Sequence, residues 1–501
     1  MRWQRCNGSI CQSFCKGDNI FDKRYHRWLL PLITFLVAVG ITIAWLAMDP
    51  RLAGLRFATS GNFPRSYFLG FKTLDLFDIL HRSLLNLGLI SIGLFLLSTL
   101  VALLRPRLLG ITSVFALSTM IYAIGGGLFL AEQSPAPHYV YLADAFAHGK
   151  YYLEAEPPNA EENDWTYYNG KWMISFPPTP ALLMTPFVAV FGRNFNDVIF
   201  TALFGALNVA IVYDLVPKVG QRLKHPFQSS TPARLGIAAL FGFGTVHWWV
   251  TSVGQVWFTA QIVAVTFLLL ALRETFEQGR PILVSTWLVL SAMARPTILL
   301  SLPIFIWLLC PTNTLRRMLL GLIPLGLAGF FMVAYNLVRF GDPFELGYRY
   351  MQLEKLLEKT LEEHGTFSLA YLGRNLYYAF LDLPKLSPRW PYVLMDGWGL
   401  SLFISTPALV YIFLGTWRER IGQTCALAAC LVAAPSLLYY NTGYLQAGYR
   451  YVLDFMPFLV VPIVIGMGGK LTRISVFLIL LSICMGFLSL VNFYGLYFEW
   501  F

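Results

Sequence analysis

The sequence predicts an all-α polytopic membrane protein. Its 501 residues are 56% hydrophobic and only 13% charged, with a mean hydropathy of +0.59, whereas soluble domains carry about 25% charged residues. Apolar stretches of spanning length recur along the whole chain. The polar connectors between them fall into two kinds, one short and basic, the other long and rich in acids, Trp, Tyr and Pro. A protein that keeps its elaborate polar sequence on one face is expected to work on that face.

A hydrocarbon core about 30 Å thick takes about 20 apolar residues per helix. The stretches 29–48, 84–104, 108–130, 198–216, 235–250, 257–272, 319–338, 400–416, 421–440 and 474–494 meet or approach this length. Three shorter ones, 282–294, 298–310 and 455–467, are expected to be buried, tilted or half-spanning. The first stretch lacks a small-residue cleavage site and exceeds a signal-peptide core, so it is expected to be an uncleaved anchor. No internal repeat stands out, which weakens a transporter of inverted halves. The expected architecture is a bundle of about 11–13 transmembrane helices. Residues 1–107 supply a tail and two N-terminal helices, and residues 108–501 supply the main body with long loops at 131–195 and 339–397.

The Lys/Arg bias sets the expected orientation. Arg2, Arg5, Lys16, Lys23, Arg24 and Arg27 place the N-terminus in the cytoplasm. Alternation then puts Arg105/Arg107, the connectors 218–234 and 273–280, Arg316/Arg317, Arg418/Arg420 and Lys470/Arg473 on the same side. The net charge of +10 therefore reports topology and attraction to anionic lipid, not nucleic acid. Cys6, Cys11 and Cys15 fall in the cytoplasmic tail, where thiols stay reduced. Their spacing, with His26, fits no familiar zinc pattern. Cys310, Cys425, Cys430 and Cys484 sit in apolar helices as small core residues.

Four outer segments follow: 131–178, 251–257, 339–397 and 441–454. In the first, His138, Tyr141, Ala145 and His148 fall at helical spacing, and Asp144 lies close to the interface. Partial desolvation there would raise its basicity and suit a general base; a helix-capping or solvated Asp is the blander alternative. Glu162 and Asp164 could share a divalent cation, Mg or Mn, with a phosphate, or be simply solvated. The aromatic run 165–172 suits an interfacial belt or a sugar-stacking wall. Phe176-Pro177-Pro178-Thr179-Pro180 is expected to return to the membrane in extended form. In the second long loop, MQLEKLLEKTLEEH has helical periodicity with an acidic face, and FSLAYLGRNLYYAFLDL is amphipathic. Both are expected to lie along the interface.

Charges at membrane depth or at its edge are costly and mark function by default. Arg295 at an Ala-Arg-Pro joint, Arg339 at the end of a span, and Arg450 near the last outer segment lie toward one face, with Lys171 in the first loop. Guanidinium groups bind phosphate oxygens bidentately, so a lipid-linked phosphate is the natural partner. The alternative for each Arg is an ordering ion pair, such as Arg450 with Asp454 four residues on.

The segments PHYVYLADAFAHG with NGKWMISFPPTPALLMTPF, ARPTILLSLP, YNLVRFGDPFELGY and GYRYVLDFMPF together resemble the GT-C superfamily of integral-membrane glycosyltransferases. In layout the chain is similar to protein O-mannosyltransferases and lipid A aminoarabinose transferases. The resemblance implies a GT-C-like bundle that transfers a sugar, with inversion, from a polyprenyl-phosphate-linked donor to a lipid, glycan or protein acceptor. It also implies an active site on the outer face of a bacterial inner membrane. An acid of the first outer loop activates the acceptor hydroxyl while basic residues or a metal neutralise the phosphate. At the family's acidic position the nearest matches here are His138 and, six residues on, Asp144; Asp164 is a separate candidate carboxylate. The spans 29–48 and 84–104 are an N-terminal addition to that layout. A transporter or flippase of lipid-linked saccharides is the alternative function. It needs ionisable groups near mid-membrane, whereas Asp214 and Arg234 sit at span ends. A structural membrane protein is the third, and scattered site residues would favour it.

Overall fold

The computed structural model describes residues 20–47, 67–68, 71–160, 163–309 and 314–498. The tail cysteines Cys6, Cys11 and Cys15, and also Cys310 and Glu162, lie outside the described residues.

The chain is a helical bundle. In order the helices are α1 (Ile20–Ala47), α2 (Thr73–Leu104), α3 (Leu109–Gly125), α4 (His138–Ala147), α5 (Thr179–Phe191), α6 (Asp197–Gln221), α7 (Thr231–Phe243), α8 (His247–Val253), α9 (Val256–Glu277), α10 (Pro281–Ala292), α11 (Leu302–Leu309) and α12 (Thr314–Phe340). There follow α13 (Lys355–His364), α14 (Leu372–Leu376), α15 (Leu402–Ser405), α16 (Tyr411–Arg418), α17 (Arg420–Leu437), α18 (Met456–Met467) and α19 (Arg473–Tyr497). Sheet among the described residues is confined to three two-stranded hairpins. Among the described residues eight helices are long and apolar enough to cross a membrane, or nine if α7 and α8 form one bent span. The shorter apolar helices Pro281–Ala292, Pro296–Leu309 and Met456–Met467 complete the bundle. The all-α polytopic architecture expected from composition is thus observed.

Three expected spans are interrupted. The stretch 235–250 bends by 58° between α7 and α8. The stretch 400–416 breaks at Thr406, before Pro407, into α15, a 3-10 turn and α16, because Pro has no N–H to continue the ladder. The stretch 108–130 ends its α-helix at Gly125, and Gly127 has φ 50°, a left-handed value that glycine adopts freely. The return of the first loop is likewise not extended throughout. Thr179-Pro180 opens α5, where Pro at the first turn needs no hydrogen bond.

The interior is built around α6, α9 and α18. Every residue of α18 is buried, and α9 is inside over most of its length, while no residue in the apolar window of α12 is fully buried. Trp249 of α8 stacks on Phe493 of α19 at 4.8 Å and meets Phe258 of α9 edge-on at 5.0 Å. Helix α16 crosses α18 at backbone contact: a Cβ on Gly415 would collide with the Pro462 carbonyl, and one on Gly466 with the Tyr411 carbonyl. The N-terminal hairpin α1–α2 is bonded internally by Thr34 and Ser98, 3.0 Å apart, and joins the body where Asn86 donates to the Leu130 carbonyl at 2.7 Å.

The basic connectors meet one another on one face. Arg222 donates to the carbonyls of Phe276 and Glu277, Arg317 to Gly279, and Arg418 to Gly466. Asp214 is held by Arg273 at 2.6 Å and Lys218 at 3.2 Å. The four outer polar segments gather at the other end of the bundle, around a large cavity.

Candidate functional site

The cavity has a volume of about 1510 Å³. Its walls come from every segment that the sequence marked as outer: Asn163 and Asp164, Gln255 and Trp257, Tyr348 to Leu361, and Asn441 to Asp454, together with the Arg295 joint. Two chemistries face it. One wall carries charges and phenols; another, from α13 and the loop around it, is apolar, with Leu353, Leu357, Leu361 and Phe367.

The charged wall is built as follows. Arg295 follows α10, where the helix stops ahead of Pro296. Its guanidinium clasps the Asp454 carboxylate at 2.7 and 3.1 Å. Arg450 opens a 3-10 turn, Arg450–Asp454. Its side chain is buried, lies 5.3 Å over the Phe258 ring and 5.2 Å over Tyr451, and makes no guanidinium hydrogen bond or ion pair among the described residues. Burial pulls its pKa below the usual guanidinium value, and neighbouring Arg295 acts in the same direction. An anion in the cavity would relieve both. The ordering pair expected between Arg450 and Asp454 therefore does not form; Asp454 is taken by Arg295.

Asp164 is the acid that faces this wall. The loop holds it at φ 60°, its N–H donates to the Gln352 carbonyl at 3.0 Å, and the Trp257 indole N–H donates to its Oδ2 at 2.8 Å. Desolvation lifts its pKa from 3.8 to about 6; the Trp257 hydrogen bond and Arg450 pull the other way, and Glu354 adds to the rise.

The other expected site residues lie outside the cavity lining. Asp144, the expected base, is on α4 and pairs with Arg193 at 2.7 Å, with His148 at 3.6 Å. A carboxylate so engaged is an anchor between α4 and the turn before α6. His138 is fully buried, stacked on Trp165 at 3.7 Å, with Nε2 2.6 Å from the Asn163 carbonyl. Burial lowers its pKa from 6.5 to about 4, against backbone hydrogen bonds to Asn163 and Ala136. It holds the loop that presents Asp164. Arg339 donates to the Ile174 carbonyl and Asn336, both at 2.9 Å, and ties α12 to the first loop. Lys171 sits on the hairpin, 4.3 Å over the Tyr152 ring. Asp164, Arg295 and Arg450 are thus brought together, while Asp144, His138, Arg339 and Lys171 support or flank them.

The cation pairing expected between Glu162 and Asp164 falls partly on Glu162, which lies outside the described residues. Among the described residues no group of three or more His, Cys, Asp or Glu gathers, and Asp164 Oδ2 already accepts from Trp257. Trp257 and Gln261, which completes the charged wall by donating to the Arg450 carbonyl at 3.1 Å, were not anticipated from sequence. The signal for them was a Trp and a Gln four apart at the start of an otherwise apolar span.

Fold and site define an all-α polytopic membrane protein with a one-sided cavity, apolar on one wall and charged on the other. Comparison with protein-family models, with curated proteins and with solved structures gives no match.

Proposed function

We propose that the protein is an integral-membrane glycosyltransferase. It takes a sugar from a polyprenyl-phosphate-linked donor and passes it to an acceptor hydroxyl on the outer face, with inversion. The observation that carries this reading is a buried guanidinium, Arg450, that forms no ion pair among the described residues, in the same cavity as a desolvated carboxylate, Asp164. Arg450, flanked by the Arg295–Asp454 pair, binds the donor phosphate. Leu353, Leu357, Leu361 and Phe367 give the prenyl chain an apolar wall. Asp164 takes the proton of the acceptor hydroxyl. The acceptor oxygen bonds to the anomeric carbon as the carbon–oxygen bond to phosphate breaks, and the phosphate leaves with its lipid. A carboxyl with pKa of about 6 is ionised at neutral pH yet more basic than an ordinary Asp, which suits a general base.

One observation favours the second reading, a transporter or flippase of lipid-linked saccharides. His247 is an ionisable residue inside the bent span α7–α8, bonded to Tyr122 at 2.9 Å and Asn208 at 3.2 Å. The test is incubation of membranes holding the protein with a labelled polyprenyl phosphosugar, with and without EDTA. The proposal expects label on an acceptor and its loss in Asp164→Asn. Intact donor moved across the bilayer, with no glycosidic product, would select the transporter.

A further inference from the structure

We infer that Trp257 is a positioning residue that aims the Asp164 carboxylate during the transfer step; the inference rests on the glycosyl-transfer reading. Trp257 lies in the first turn of α9, just after an elbow in which Gly254 and Gln255 both have positive φ, 73° and 70°. Such a value is uncommon for Gln and persists only where its surroundings enforce it. Beside it the Val256 N–H donates to the Ala136 carbonyl at 2.9 Å and pins the start of α9 to the loop that carries Asp164.

From there the indole N–H reaches Asp164 Oδ2 at 2.8 Å. No donor among the described residues reaches Oδ1, so one oxygen is fixed and the other is left for a substrate proton. Four residues on, along the same helix face, Gln261 donates to the Arg450 carbonyl at 3.1 Å and lies 3.4 Å from Asp454 Oδ1. Phe258, between them in sequence, lies against the Arg450 guanidinium. Just over one turn of α9 thereby sets the separation between the acid and the cationic wall. An indole N–H donates but cannot accept, so Trp257 moves no proton itself. Its contribution is orientation, which a displacement of about 1 Å can cost up to a hundredfold in rate.

The test is a double-mutant cycle on full-length protein in nanodiscs, using a labelled polyprenyl phosphosugar: Trp257→Phe, Asp164→Asn and both together. Phe keeps the ring and removes the donor. Trp257→Phe is expected to lower kcat by ten- to a hundredfold with the donor KM unchanged, and the double variant should be no slower than Asp164→Asn alone. A Trp that only packs would cost again in the Asp164→Asn background, and that additive loss overturns the inference while leaving the function standing. Loss of polyprenyl phosphate binding in Trp257→Phe would do the same. Full activity in Asp164→Asn, or none in the wild type, overturns the functional reading and this inference with it.

Discussion

The Arg450 guanidinium is left without an ion pair among the described residues by a change of helix pitch. On an α-helix residues four apart are offset by about 40°; on the 3-10 turn that spans Arg450–Asp454 the offset is about 120°. Asp454 therefore points to Arg295, and Arg450 to the cavity. Arg450→Gln removes the charge for which a phosphate would enter, and affinity for polyprenyl phosphate should fall by at least tenfold, a loss of about 1.5–3 kcal/mol; titration of the lipid into nanodiscs checks this. Asp164 gives a prediction with opposite signs for activity and stability. Its folded pKa is raised from 3.8 to about 6, so its stabilising contribution is complete below 3.8 and is lost as pH rises through 6. Asp164→Asn should cut transfer by about 10²–10⁴ while raising thermal stability at pH 8, read by kinetics and by melting in detergent. His138 runs the other way. Its pKa is lowered from 6.5 to about 4, so it stabilises the first loop above pH 6.5, and that support is lost as pH falls through 4. Protease cleavage of the loop should rise over that window in the wild type and lose this pH dependence in His138→Phe.

At the scale of elements, hydropathy located the apolar helices because lipid requires an apolar surface and a self-bonded backbone. The helical spacing of His138 to His148 likewise gave α4, and the periodicity of MQLEKLLEKTLEEH gave α13. Interruptions were illegible to the same measure. A bend between Phe243 and His247 changes backbone direction without changing apolarity; only Gly242 and Gly244 hinted at it. The ion pair of Asp144 was illegible too, because its proximity to the membrane was visible in sequence while Arg193, its partner, is brought near only by the fold. The crossing of α16 and α18 depends on Gly415 and Gly466. Since backbone atoms cannot yield as a side-chain tip can, Gly415→Ala should destabilise the bundle by about 1–3 kcal/mol, seen as a lower midpoint of thermal unfolding in detergent.

For the whole molecule, the division of polar sequence into basic connectors and elaborate loops is also a division in space. The connectors bond to one another through Arg222, Arg317 and Arg418, and the loops enclose the cavity. Cysteines introduced at exposed Asn169 and Lys224 should accordingly react with an impermeant maleimide from opposite sides of sealed vesicles. On the proposed reading, this one-sidedness would let a lipid donor and a water-borne acceptor meet where the bilayer ends. The most direct test of that claim is the rate at which the purified protein in nanodiscs releases polyprenyl phosphate from a labelled phosphosugar donor, between pH 5 and pH 8. The account predicts release that rises through about pH 6, falls by at least a hundredfold in Asp164→Asn, and requires more donor in Arg450→Gln. Release that ignores both substitutions would contradict it.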